Sequence, residues 1–174
     1  MRRVRRGGAY FRIADPNWPD PLDASYSVAR GGRWNPPGSF PVLYLNRDVH
    51  TSRANLRRRF AGLPYGPELL RPEQTPLLVE TTVAEADYVD VITDEGCREV
   101  GLPTTYPVDT HGHEIDRGRC QEIGSRAWQA GERGIACRSA ATHDRSGEEL
   151  ALFRREGESP LPVNRRLILR EWFQ

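Results

Sequence analysis

Apolar and polar positions along the chain fall into short runs punctuated by Pro, Gly and Asp, the pattern of a folded domain rich in short strands. Tyr10-Phe11-Arg12-Ile13 predicts a first strand, stopped at Asp15-Pro16. A Pro- and Asp-rich loop follows through Pro19 and Pro21, and Ser25 to Ala29 leads into Gly31-Gly32-Arg33-Trp34-Asn35-Pro36-Pro37-Gly38. Pro41-Val42-Leu43-Tyr44-Leu45 is apolar almost throughout, as a strand buried on both faces would be. Thr51 or Ser52 is placed to cap a helix over 52–61, with Ala54, Leu56 and Phe60 inward. Leu77–Val83 and Tyr88–Ile92 predict two more strands, the second closed by Asp94-Glu95-Gly96. Residues 117–130 predict a helix with Ile123, Ala127 and Trp128 facing the core and Gly131 past its end. Gly134–Cys137, Leu150–Phe153 and Leu167–Leu169 complete the strand set.

Strands outnumber helices and do not alternate with them, so the expected class is α+β: a mixed sheet core with flanking helices, not a doubly wound parallel sheet. No repeat or linker divides the 174 residues, a length that suits one domain. Arg2, Arg3, Arg5 and Arg6 read as a basic arm over residues 1–9, ahead of a domain spanning 10–174. No apolar run approaches the roughly 18 residues of a membrane helix. The basic start has no apolar stretch behind it, so a secretory signal is not expected. The expected location is cytoplasmic.

Charge and special residues narrow the chemistry. A formal net charge of +1, with 24 acidic residues among the basic ones, argues against direct nucleic-acid binding. Every Lys/Arg position is arginine, which excludes Schiff-base and P-loop mechanisms that need a lysine amine. Arg57, Arg58 and Arg59 form a second basic cluster, read as a solvated helix face or a docking patch. Cys97, Cys120 and Cys137 make no CxxC pair, and His111 and His113 sit in a polar stretch; neither a metal site nor a disulfide framework is expected.

The densest chemistry lies in Gly31–Gly38. Two glycines before Arg33 allow unusual backbone angles and close approach to a ligand. The guanidinium offers a planar fork for phosphate oxygens, Trp34 an aromatic face, and Asn35 both a donor and an acceptor. Taken alone, the same residues also describe a turn with a structural Arg and a core Trp.

GGRWNPPG followed by FPVLYL resembles the signature of the RES domain family, and further stretches keep that family's order. Tyr10–Ile13 is similar to its opening arginine strand and Cys120–Gly124 to its late helix. Gly134–Ser139, with Glu149–Phe153 after it, resembles its serine loop and the strand beyond. The resemblance implies a fold related to ADP-ribosyltransferases and a cleft that takes NAD⁺ as substrate, with no resident cofactor. It further implies a toxin that releases nicotinamide by hydrolysis or phosphorolysis, paired with a helix-turn-helix (Xre-type) antitoxin. Carried over residue by residue, Arg12 and Arg33 match the arginines that grip the dinucleotide, Tyr44 the tyrosine at the nicotinamide end, and Ser139 the active-site serine. Arg138 precedes that serine where a proline is common. The expected substrate-binding set is Arg12, Arg33, Trp34, Asn35, Tyr44 and Ser139, and the expected catalytic set Arg33, Asn55 and Ser139.

Asn55 is the departure, standing where the resemblance places the family's helix glutamate. Breaking the bond between ribose C1′ and nicotinamide develops oxocarbenium character that a carboxylate stabilises. Losing one such group costs ~3 kcal/mol, around a hundredfold in rate. Glu80 and Glu73 are the replacements considered, with Glu80 first. Three readings follow: an NAD⁺-cleaving toxin, a weak or inactive nucleotide-binding module favoured by Asn55, and an ADP-ribosyltransferase.

Overall fold

The computed structural model describes residues 1–142 and 144–174. Six strands, β1 (Arg3–Ala14), β2 (Val42–Asn46), β3 (Leu77–Val91), β4 (Gly134–Arg138), β5 (Glu148–Phe153) and β6 (Val163–Leu167), make one sheet in the order β1-β2-β5-β4-β3-β6. β1 pairs along its length with β3 and touches β2 where Phe11 faces Asn46, so the first five strands close into a ring with β6 outside β3. β3 and β4 are parallel and the other pairs antiparallel, which makes the sheet mixed. Five helices flank it: α1 (Ser25–Arg30), α2 (Val49–Phe60), α3 (Asp94–Val100), α4 (Arg117–Gln129) and α5 (Leu169–Trp172). The α+β reading holds.

Alternation along the central strands explains why they are apolar throughout. Val42 and Phe153 pack with Trp34, Ile123 and Ile135 under α4, whereas Leu43, Leu45, Leu150 and Leu152 pack with Tyr10 and Val79 on the other face. A third cluster joins Leu56 of α2 to Leu78 and Trp172. Both faces of β2 and β5 are therefore covered, and each buried Leu adds about 1.5–3 kcal/mol.

Four expectations need correction. Residues 3–9 are not a free arm: they extend β1 and pair with β3 from Thr82 to Val89. Arg5 lies 3.1 Å from Glu85 and 3.6 Å from Asp87, so the polar stretch 84–87 stays in the ladder, and the two strands predicted at 77–83 and 88–92 are one. Such exposed pairs set register more than stability. The cap of α2 is Asp48, whose carboxylate accepts from the Thr51 N–H at 2.7 Å, and the helix starts before Thr51 and Ser52. Asp94-Glu95-Gly96 opens α3 because the Thr93 hydroxyl caps it, accepting from the Gly96 N–H.

Candidate active site

A cleft of about 250 Å³ opens beside the β1–β2 contact, walled by Arg12, Arg33, Tyr44, Asn55, Arg59 and Glu149 among others. That volume lies just below the roughly 300–1,000 Å³ of a full small-molecule site. Arg12 comes from β1 and is 92% buried, with 8% of its surface exposed. It donates to the Asp23 carbonyl at 2.7 Å and lies 5.0 Å from the Trp18 ring centroid. Among the described residues no carboxylate oxygen lies within 4.0 Å of its nitrogens. Burial lowers its pKa to about 10, so at neutral pH it remains a cation held in a low-dielectric wall.

The glycine-rich turn is built to seat Tyr44. Gly31 adopts a φ of 67°, which favours glycine, and a Cβ on Gly32 would fall 2.4 Å from the Tyr44 hydroxyl oxygen. That hydroxyl accepts from the Trp34 N–H at 2.9 Å and donates to Asn35 Oδ1 at 2.7 Å. Asn35 Nδ2 in turn donates to the Ser27 and Phe40 carbonyls. Burial pushes the Tyr44 phenol well above its usual range, so it stays a neutral hydrogen-bonding group. From the far side α4 presses close: a Cβ on Gly124 would sit 1.7 Å from the Trp34 carbonyl oxygen, and Gln121 donates to the Gly32 carbonyl at 2.9 Å. Arg33 leaves this turn as a rim cation, ion-paired through Nη2 with Glu114, which Arg58 also holds. Its Nη1 is buried without a hydrogen-bond partner among the described residues.

The same cleft also carries an acidic group. Asn46 of β2 and Glu149 of β5 are direct cross-strand partners, and Asn55 of α2 reaches down to both. Asn55 Nδ2 donates to Asn46 Oδ1 at 2.9 Å and to Glu149 Oε1 at 2.8 Å, and it lies 3.4 Å from Ser139 Oγ. The Ser139 hydroxyl donates to the same Glu149 Oε1 at 2.5 Å. Among the described residues Glu149 Oε2 takes no partner, and the residue lines the cleft.

A family model for the RES domain matches residues 9–168. The chain belongs to the RES domain family. No curated protein matches the sequence. Among solved structures, a chain of the M. tuberculosis MbcT–MbcA toxin–antitoxin complex has the same fold. It is 21% identical, with a TM-score of 0.77 over 98% of this chain and 91% of that one.

Within this RES domain the predicted residues divide by position. Arg12, Arg33, Tyr44 and Asn55 line the cleft, although they come from β1, a turn, β2 and α2. Trp34 and Asn35 do not: both are fully buried, Trp34 in the core and Asn35 bonded inside the turn, because the backbone there folds away from solvent. Ser139 is fully buried too, placed behind Glu149 and not on the wall. Arg138, also buried, binds the Ile92, Thr104 and Tyr106 carbonyls and the Asp94 carboxylate, stitching the segment after β3 to β4. The replacements considered for the helix glutamate lie elsewhere. Glu80 pairs with Arg165 of β6 at 3.1 Å, and Glu73 sits in an exposed 3₁₀ turn.

Sequence reading missed Glu149. Period-two alternation was the available signal, since Glu149 shares a strand face with Ala151 and Phe153, which are both core. An acidic residue on such a face needs an explanation. Among the described residues no cluster of His, Cys, Asp and Glu is fit to hold a metal, and no helix is long and apolar enough to cross a membrane. The three cysteines are buried and free, and burial raises each thiol pKa.

Proposed function

We propose that this RES domain cleaves NAD⁺, releasing nicotinamide, and acts as the toxin of a toxin–antitoxin pair. One observation carries the reading: a buried, carboxylate-free Arg12 and the Glu149 carboxylate face the same cleft. A ligand that suits both ends carries anionic phosphates and a cationic ring, and NAD⁺ has that polarity. The family resemblance and the likeness to a chain of the MbcT–MbcA complex support the same reading.

In this reading Arg12 and Arg33 take the pyrophosphate, and a phosphate oxygen replaces Glu114 on Arg33 and satisfies its unpaired Nη1. Tyr44, held by the turn, packs against the nicotinamide riboside. The C1′–N bond breaks, its electron pair leaves with nicotinamide nitrogen, and the pyridinium charge is lost as oxocarbenium charge appears on the ribose. Water or phosphate then adds to C1′; with water, one proton is released to solvent and ADP-ribose remains. The partner in this reading is a helix-turn-helix protein of the Xre type that covers the cleft mouth.

Incubating the purified chain with NAD⁺, with and without phosphate, and following nicotinamide by chromatography tests the reaction and names the acceptor. Binding measured by calorimetry without nicotinamide release would replace this reading with that of a nucleotide-binding module, which Asn55 favours. Covalent transfer of labelled ADP-ribose to a macromolecule would replace it with that of a transferase.

A further inference from the structure

We propose that Glu149 is the catalytic carboxylate of this chain, supplied from β5 in place of the glutamate expected on α2, and that Asn55 is its positioning residue. The inference rests on the NAD⁺-cleaving reading above. The helix position and Glu149 are 94 residues apart in sequence, yet their side chains touch, so a carboxylate at either place serves one spot in the cleft.

The arrangement around Glu149 is that of a held and aimed group. Oε1 is fixed by two donors, Asn55 at 2.8 Å and Ser139 at 2.5 Å, while Oε2 takes no hydrogen bond among the described residues and the side chain lines the cleft. Asn55 also donates to Asn46 Oδ1 at 2.9 Å, and because a carboxylate only accepts, it is the amide nitrogen of Asn55 that faces Glu149. A side chain locked at one oxygen and free at the other is preorganised for charge that develops only in the transition state. Half-buried and paired across strands with Cys137 of β4, Glu149 forms no salt bridge with any described arginine; Arg59 of α2, which lines the same cleft, feels its charge at longer range.

The step balances with the co-reactants already named. As the C1′–N bond lengthens, its electrons go to nicotinamide and the ribose becomes cationic. Glu149 Oε2 stabilises that cation and accepts from a ribose hydroxyl. It forms no covalent bond, and the incoming water loses its proton to solvent. Asn55 and Ser139 keep Oε1 occupied and so direct Oε2 at the sugar.

The decisive comparison uses the full chain and NAD⁺ itself. Glu149→Gln keeps the shape and removes the charge; kcat for nicotinamide release should fall about a hundredfold with KM nearly unchanged. Asn55→Ala should lower kcat about tenfold in the wild-type background and far less once Glu149 is Gln, because a positioning residue loses its effect with the group it positions. The double exchange Asn55→Glu with Glu149→Asn returns the carboxylate to the helix and should recover most of the activity; Asn55→Glu alone sets two carboxylates in contact and should not. The exchange also guards against a Glu149→Gln protein that fails to fold. A wild type that cleaves NAD⁺ while a folded Glu149→Gln keeps its rate overturns this assignment and leaves the proposed reaction standing. A wild type that binds NAD⁺ without cleaving it overturns the reaction and this assignment with it.

Discussion

Arg33 and Glu114 are ion-paired across 81 positions of sequence, tying the glycine-rich turn to the segment between α3 and α4. The same carboxylate is held by Arg58 of α2, so Glu114 bridges two guanidinium groups. Although partial burial works the other way, Arg58 and Arg33 hold the Glu114 pKa down at about 2.

In the NAD⁺-cleaving reading proposed above, Glu114 competes with the substrate's phosphates for Arg33. Glu114→Gln should tighten NAD⁺ binding about fivefold, equivalent to ~1 kcal/mol for a partly exposed ion pair. Calorimetric titration of wild type and variant checks this. An unchanged or weaker affinity means that Arg33 does not exchange partners on binding.

The same carboxylate makes stability depend on pH. Its folded pKa of about 2 lies below the ordinary 4.5, so its ion pairs add stability above pH 4.5 and lose it as pH falls towards 2. Urea unfolding of wild type and Glu114→Gln should differ most near neutral pH and converge at the acid end. A gap that stays constant across that window would show that another group carries the linkage.

Arg12 is a buried cation with no carboxylate in salt-bridge reach among the described residues, a costly placement that the NAD⁺-binding reading proposed above accounts for. Arg12→Met should raise folding stability by ~1 kcal/mol while weakening NAD⁺ binding at least tenfold. Chemical denaturation and calorimetry on the same preparations report the two effects separately. Loss of stability together with loss of binding would make Arg12 a structural residue.

Gly124 has no room for a side chain. Ala there would favour the helix locally by about 1 kcal/mol, yet its Cβ must push α4 off the Trp34 carbonyl. Gly124→Ala should cost 1–3 kcal/mol overall and should weaken NAD⁺ binding by moving Arg33. Unfolding midpoints and titrations check both, and a neutral outcome would place slack between α4 and the turn.

Much of the site was legible because it is local. Gly31, Gly32, Arg33 and Tyr44 lie within one turn and the strand after it, so spacing alone brings them together. Helix α4 and the two-faced burial of β2 were equally readable from period and composition. Trp34 and Asn35 were misplaced for the opposite reason: a chemistry-bearing side chain in a loop says nothing of which way the loop folds it, and here both point inward. The Glu149–Asn55 contact was out of reach, since it depends on β5 pairing with β2 and on α2 lying across that pair. Strand register keeps Glu80 out of the cleft. Opposite Phe11 on β1, it turns to Arg165 of β6 instead of entering the cleft.

The ring of strands also dictates when the site can exist. β1 is made first but finds its long partner only in β3, and the ring closes only when β4 and β5 follow. Pairings so distant in sequence form slowly, because loop-closure entropy is lost before contacts repay it. Arg12 stands near the start of this order and Glu149 near its end. A nascent chain thus carries the glycine-rich motif long before it has a cleft, and the two sides of that cleft first meet after Glu149 has emerged from the ribosome.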